Sequence, residues 1–444
     1  MLDVLATGLL TDHYELTMLA AALHDGTAER PCVFEVFARH LPPGRRYGVV
    51  AGTGRLLEAV SRFRFDEAAL AFLAEHKVVD AQTLDWLAAY RFTGDIEGYA
   101  EGDLYFPGSP VLTVSAGFGQ AVLLETLALS ILNHDSAVAS AAARMVTAAG
   151  ERPCLEMGSR RTHEESAVAA ARAAYLAGFT ATSNLEAGRR YGVPTTGTSA
   201  HAFTLVHDSE ADAFAAQVDA LGVATTLLVD TYDVDDGIRA AVAAAGPELG
   251  AIRLDSGDLA GLARHARELL DALGATGTRI VVTSDLDEYA IAALAVAPID
   301  GYGVGTSVVT GSGAPTAGFV YKLVERAGVP VAKTSVGKPS TGGRKVAVRR
   351  HDQHGTMTAE VVRADGEPAA RTGDRRLSVP LLRSGEPVPG SAGLAQARAV
   401  HRAMIAALPP RGRTLSRGDA VIDTVHEEDH EAGTGDRRRP ERLL

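Results

Sequence analysis

Between residues 151 and 310, short apolar runs alternate with helix-forming stretches, and this regularity constrains the fold more than any other feature of the chain. The runs are Cys154–Gly158, Ala181–Ser183, Thr195–Ser199, Thr225–Thr231, Ala251–Asp255, Arg279–Ser284 and Gly301–Gly305. Between them lie segments with apolar residues at helical spacing: Glu164–Ala177, Glu210–Leu221, Asp235–Ala245, Leu259–Leu273 and Asp287–Ala295. Such alternation implies parallel strands joined by right-handed crossovers. Seven strand-like runs favour a barrel over an open sheet. Polar residues and glycines gather at the C-terminal ends of the runs: Ser183-Asn184, Ser199 with His201, Asp230, Asp255-Ser256-Gly257, Ser284-Asp285 and Gly303 to Thr306. In a parallel barrel these ends open on one face, where active sites sit. Loops are polar anyway, which accounts for one or two such clusters but poorly for six.

The flanks read differently. A chain of 444 residues is too long for one ordinary core, so two or three domains are expected. Residues 1–150 form an N-terminal α/β domain, with strands at Val33–Phe37, Asp95–Phe106 and Val111–Val114 and two consecutive helices over Phe118–Ala149. The barrel spans 151–335 and includes a hairpin, Phe319–Arg326 and Val329–Thr334, turning at Ala327-Gly328. A C-terminal region, 336–426, holds further strands over 344–382, a Pro/Gly/Ser loop at Arg383–Gly393, and a helix from Ala395 that Pro409 stops after Leu408. Residues 427–444 are a charged tail, expected to be mobile.

A net charge of -12 excludes a nucleic-acid-tracking surface, so an anionic substrate must be held locally. Cys32 and Cys154 are expected to be buried free thiols in a reducing compartment. The first residues lack the basic and apolar regions of a signal peptide, and no apolar run reaches the roughly 18 residues a membrane helix needs. A cytoplasmic protein with no membrane partner is expected. A complete Gly-x-Gly-x-x-Gly, a Walker A loop, a zinc-ligand spacing and a nucleophile elbow are all absent from the sequence.

The most informative segment is Ile252–Leu259, where a buried strand ends in an acid, a Ser-Gly turn and a new helix. Asp255 would stand at the mouth, able to bond ribose hydroxyls. Free N–H groups of the Ser256–Asp258 turn could meet a phosphate. Arg253, two residues earlier, lies on the same side of the strand as Asp255. An Asp258 N-cap with an internal Arg253–Asp255 pair explains the same letters as well. His201, just beyond a strand end, reads as an acid, base or nucleophile, or as a hydrogen-bonded structural residue. Gly303-Val304-Gly305-Thr306 reads as bare backbone approaching an anion, or as a tight turn.

Taken in order, TDHYELT (11–17), EMGSRR (156–161), GFTATSN (178–184), GTSAH (197–201), VDTYD (229–233), RLDSGDL (253–259), TSDLDE (283–288), GYGVGT (301–306) and VYKLV (320–324) resemble the nicotinate phosphoribosyltransferase family. The resemblance runs from about residue 8 to about 350. It implies an irregular α/β barrel of the type II phosphoribosyltransferase kind, with an N-terminal α/β domain and a smaller C-terminal β-containing region. It also implies condensation of nicotinate with phosphoribosyl pyrophosphate, Mg²⁺ as cofactor, ATP as co-substrate through a transient phosphohistidine, and a homodimer with shared active sites.

By motif, the resemblance makes His201 the phosphorylated residue, with Asp230 as the acid orienting its ring. Asp255 would bind the ribose hydroxyls and offset positive charge at C1. Arg253 would face the pyridine carboxylate or the pyrophosphate, and Tyr14 of a partner subunit would stack on the pyridine ring. Arg160 and Arg161 would hold phosphates, Gly303, Gly305 and Thr306 would cradle the 5′-phosphate, and Ser256, Gly257, Ser284 and Asp285 would complete the substrate-binding rim. No metal ligands are assigned. Met157 stands where the family typically has an aromatic ring, and Lys338–Lys345 matches the family's Pro-Gly-Lys region only loosely. A nicotinamide-using relative would place an acid at 184. Neutral Ser183 and Asn184 suit a carboxylate better. The further alternative is a non-catalytic nucleotide-binding barrel.

Overall fold

The computed structural model describes residues 6–333, 341–390 and 393–427. The tail 428–444, Thr334 at the end of the expected hairpin, residues 338–340 of the Lys338–Lys345 comparison, and residues 391–392 of the Pro/Gly/Ser loop lie outside the described residues.

A six-stranded, fully parallel sheet lies at the centre of the catalytic half, in the order Ala181–Thr182, Cys154–Glu156, Gly301–Val304, Arg279–Ser284, Ala251–Leu254, Thr226–Leu228. The helices between them bury one stripe each. Leu259–Ala272 buries Leu259, Ala263, Ala266, Leu269 and Leu270, a spacing of three and four that keeps one face on the sheet. Full burial of one such Leu is worth about 1.5–3 kcal/mol. Acids at the strand exits start several of these helices. Asp233 accepts from the N–H groups of Asp235 and Asp236, Asp258 from Gly261, and Asp287 from Tyr289 and Ala290.

The seventh expected strand, Thr195–Ser199, does not form. Thr195 makes one isolated parallel bridge to Thr182, and the chain then leaves the sheet. Pro194 supplies no N–H there, and Thr198 and Ser199 bind the Arg253 side chain instead of a neighbouring strand. Residues 195–201 thus run from the Thr182 edge to the opposite edge, where His201 meets Thr231. The barrel is therefore irregular, its wall completed on this side by side-chain contacts rather than by a ladder.

A seven-stranded antiparallel sheet forms the second body, in the order Val329–Pro330, Phe319–Arg326, Pro31–Ala38, Pro110–Gly117, Asp95–Tyr99, Ser378–Arg383, Glu386–Pro387. The hairpin forms as expected, with Ala327 and Gly328 at positive φ in its turn. Its partner is Pro31–Ala38, however, so Phe319–Arg326 joins the N-terminal sheet rather than the parallel one. The helix Glu125–Ala149 links the two cores, with Leu127, Ile131 and Leu132 in one and Val138, Ala142 and Met145 in the other. Cys32 and Cys154 are buried free thiols, and burial pushes the Cys154 thiol up to about 12. Among the described residues no helix is long and apolar enough to cross a membrane.

The C-terminal sheet (Lys345–His351, Met357–Ala364, Arg375–Arg376, Asp423–Glu427) carries a buried ion cluster. Arg349 is fully buried between Asp103, at 2.6 Å, and Glu360, and also donates to the Leu104 carbonyl at 2.7 Å. Arg375 reaches the other Asp103 oxygen at 2.7 Å.

Candidate active site

Strands Cys154–Glu156, Ala251–Leu254, Arg279–Ser284 and Gly301–Val304 end around a polar cleft of about 230 Å³. Met157, Arg160, Arg161, Arg253, Asp255, Ser284, Asp285, Gly303, Gly305 and Thr306 line it, together with Thr283. Strand alternation puts Arg253 and Asp255 on one side of their strand. Arg253 is buried at 8 % exposure. Its Nη1 donates to the Ser199 carbonyl at 3.1 Å and to the Thr198 hydroxyl, and its Nη2 lies 3.6 Å from Asp255 Oδ1. Burial pulls this guanidinium below its ordinary value, while Asp255 works in the opposite direction. Asp255 Oδ1 accepts from the Thr283 hydroxyl, and its Oδ2 lies 3.8 Å from His201 Nε2.

His201 opens the short helix His201–Leu205 at the rim, its side chain 40 % exposed. Asp230, expected to orient its ring, does not face it. His201 Nδ1 lies 3.1 Å from the Thr231 hydroxyl. Asp230 Oδ2 instead accepts the N–H groups of Asp255 at 2.7 Å and Ser256 at 3.1 Å. Asp230 leaves its strand beside the exit of Ala251–Leu254, so its carboxylate meets backbone there and the next residue faces the ring. Two further expectations change with it. The Ser256 N–H is engaged by Asp230 rather than free for a phosphate, and neither Ser256 nor Gly257 lines the cleft. Gly257 does sit at φ +86, in the turn where the chain reverses into the next helix.

Ser183 and Asn184 also stay out of the cleft wall. Asn184 is the N-cap of Leu185–Tyr191, accepting from Ala187 N–H at 2.8 Å, and its Nδ2 donates to Ser159 at 3.0 Å. Glu156, not singled out from sequence, is 1 % exposed; it accepts from Gly158 N–H at 2.5 Å and from the Thr182 hydroxyl at 2.5 Å. Burial raises its carboxyl. It ties two strand ends together and so fixes the Met157–Arg161 turn. Gly303 is required by space: a Cβ there would run into Thr283 and come within 2.8 Å of Met157 Sδ. Thr231 and Thr283 were also missed, although both stand inside motifs already picked out. A hydroxyl at a strand exit was their signal. Tyr14 lies on the helix His13–His24 and is not part of its own chain's cleft. Burial and the neighbouring Glu125 push its phenol up to about 12.

Among the described residues no group of three or more His, Cys, Asp or Glu could hold a metal ion. Asp255 and Asp285 are the carboxylates in the cleft wall. That donor set fits Mg²⁺, which keeps its waters and binds through one or two carboxylates plus substrate phosphates.

Behind His201, Glu210 carries a buried oxygen without a partner, as does Asp230. Burial, then Asp236, Asp230 and Asp233, push the Glu210 carboxyl up to about 7. A folded value raised above the unfolded one contributes stability below about pH 4.5 that is lost as pH rises through about 7. Glu210→Gln is therefore expected to flatten the fall in Tm between pH 6 and pH 8, with a higher Tm than the parent at pH 8. Thermal unfolding followed by circular dichroism at the two pH values checks this.

Residues 9–133 match the family model for the nicotinate phosphoribosyltransferase N-terminal domain. The Mycobacterium tuberculosis nicotinate phosphoribosyltransferase pncB1 is 62 % identical over 426 residues, covering 94 % of this chain and 94 % of that protein. The nicotinate phosphoribosyltransferase of Bacillus subtilis is 38 % identical over 357 residues, covering 77 % and 72 %. The crystal structure of human nicotinic acid phosphoribosyltransferase superposes with a TM-score of 0.83 at 27 % identity, covering 94 % of this chain and 98 % of that one.

Proposed function

We infer, for a chain that belongs to the nicotinate phosphoribosyltransferase family, that the cleft joins nicotinate to the phosphoribosyl group of phosphoribosyl pyrophosphate, giving nicotinate mononucleotide and pyrophosphate. The observation that carries this reading is the convergence of Asp255, Arg253, Arg160 and Arg161 on one glycine-floored cleft, with His201 at its rim.

Departure of pyrophosphate leaves an oxocarbenium-like ribose. Asp255 provides the fixed negative charge such a centre needs, and Thr283 and Arg253 hold its carboxylate in place. Asp230 acts as a positioning residue by holding the Asp255 and Ser256 N–H groups. Arg160 and Arg161 face the phosphates, and the bare backbone at Gly303 and Gly305 lets the 5′-phosphate approach. The pyridine nitrogen is already a nucleophile, so no base is needed at that atom. Asp255 and Asp285 are the residues that would hold Mg²⁺, which when bound would supply charge neutralisation to the leaving pyrophosphate. His201 accepts the γ-phosphoryl of ATP with release of ADP, its exposure at the rim leaving the ring within reach.

The absence of an acid at 183 and 184, which lie beside the Met157–Arg161 turn rather than in the cleft wall, supports nicotinate over nicotinamide. A homodimer in which Tyr14 reaches a neighbouring cleft is supported by exposed apolar side chains around Tyr14, Leu9 at 43 % and Leu10 at 59 %, and beyond His201, Leu205 at 61 % and Val206 at 76 %. Free, buried cysteines accord with a cytoplasmic setting.

Incubation of the full chain with γ-labelled ATP should give an acid-labile, base-stable label that His201→Ala loses. A label that persists in that variant overturns the assignment of His201. Turnover of nicotinamide as fast as nicotinate overturns the substrate.

A further inference from the structure

We propose that a second cleft, at the end of the parallel sheet remote from the active site, binds an organic phosphate with a flat apolar body. The cleft measures about 500 Å³ and lies between the C-terminal ends of Glu125–Ala149 and Glu164–Leu176 and the helix Leu394–Ala407. It touches Gly150 and Gly178, just before the strands Cys154–Glu156 and Ala181–Thr182, at the ends remote from the catalytic cleft. No residue lines both.

Its walls combine two kinds of group. Val146, Leu176 and Ile405 give an apolar surface. Arg398, Arg402 and Arg413 bring three cations to the same space, against a single carboxylate, Glu151. None of the three arginines forms an ion pair among the described residues. Arg398 donates to the carbonyls of Tyr175, Phe179 and Gly178 and lies 4.4 Å over the Tyr175 ring. Arg402 and Arg413 are exposed and, among the described residues, make no side-chain hydrogen bond. Arg398 and Arg402 stand four apart on one helix, an arrangement that costs stability unless an anion is shared between them. His401, on the same wall, is 5 % exposed, and its buried Nδ1 has no partner. Burial lowers this imidazole to about 4, so it is neutral at physiological pH.

A mostly apolar cavity with a few convergent polar groups is the usual form of a small-molecule site. Two exposed guanidinium groups match a phosphate dianion, and the apolar wall matches a ring attached to it. The excess of cations over Glu151 disfavours a neutral or cationic occupant.

The test is calorimetry on the full chain with 1-naphthyl phosphate as the probe and 1-naphthol as its phosphate-free counterpart. One equivalent per chain is expected to bind, at least about tenfold tighter than 1-naphthol. Arg402→Ala/Arg413→Ala is expected to weaken the probe at least about tenfold without lowering Tm and with the KM for nicotinate unchanged, since both side chains are exposed and remote from the catalytic cleft. Arg160→Ala/Arg161→Ala should leave probe affinity intact. No binding at millimolar probe, equal affinity for 1-naphthol, or a loss confined to the Arg160/Arg161 variant would overturn the proposal.

Discussion

Replacing Asp255 by Asn is expected to lower kcat for nicotinate mononucleotide formation by about 10²–10³-fold, with the KM for nicotinate moving by less than about threefold. Asn keeps the size of the side chain and an oxygen to accept from the Thr283 hydroxyl. It removes only the charge. If that charge acts on a positive centre that exists in the transition state and not in the bound substrates, the loss falls on kcat. Thr283→Val, which leaves the charge but frees its carboxylate to move, should give a smaller loss of the same kind. Steady-state rates with both variants check the pair. A kcat within about threefold of the parent in Asp255→Asn would remove Asp255 from the chemistry.

The second large effect concerns stability. Arg349→Met is expected to cost about 3–5 kcal/mol, because it leaves buried carboxylates without their cation. The two acids are not equally stranded. Asp103 keeps Arg375 at 2.7 Å, whereas Glu360 is left with hydroxyl donors, Tyr99 at 3.3 Å among them, and with the like charge of Asp103 nearby. Burial already raises the Glu360 carboxyl, and Arg349 opposes that rise. Without Arg349 the folded value climbs further. A folded value above the unfolded one means that the native state holds the extra proton, so stability is lost as pH rises through that window. The deficit of Arg349→Met should therefore be larger at pH 8 than at pH 5.5. Replacing Glu360 by Gln in the same chain should recover part of it. Urea unfolding at both pH values measures these differences, and a variant as stable as the parent at pH 8 would show that the cluster contributes nothing net.

Local periodicity made most of the elements legible in advance. The helices Glu210–Leu221 and Leu259–Ala272 and the strand Arg279–Ser284 follow from apolar spacing that their own residues carry. The cleft residues were legible for a related reason. Asp255, Ser284 and Gly303 end strands that must be parallel, so they must open on one face. The bland reading of the same letters also holds in part, since Asp258 caps its helix and Arg253 does lie near Asp255. A site and a cap share one turn, and spacing alone does not separate the two roles.

What the chain's letters determined by themselves, then, is which segments alternate as strand and helix, and which side chains stand at the strand exits. Both depend on neighbours a few residues away. Tertiary structure alone decided who partners whom across long separations. It gave Phe319–Arg326 to the strand Pro31–Ala38, set Arg349 against Asp103 at a separation of 246 residues, turned Asp230 to the Asp255 backbone, and left His201 to Thr231. These choices depend on how two sheets and a long helix pack. A backbone N–H or a buried charge takes whichever partner the packing brings within about 3 Å, and no local pattern records that partner.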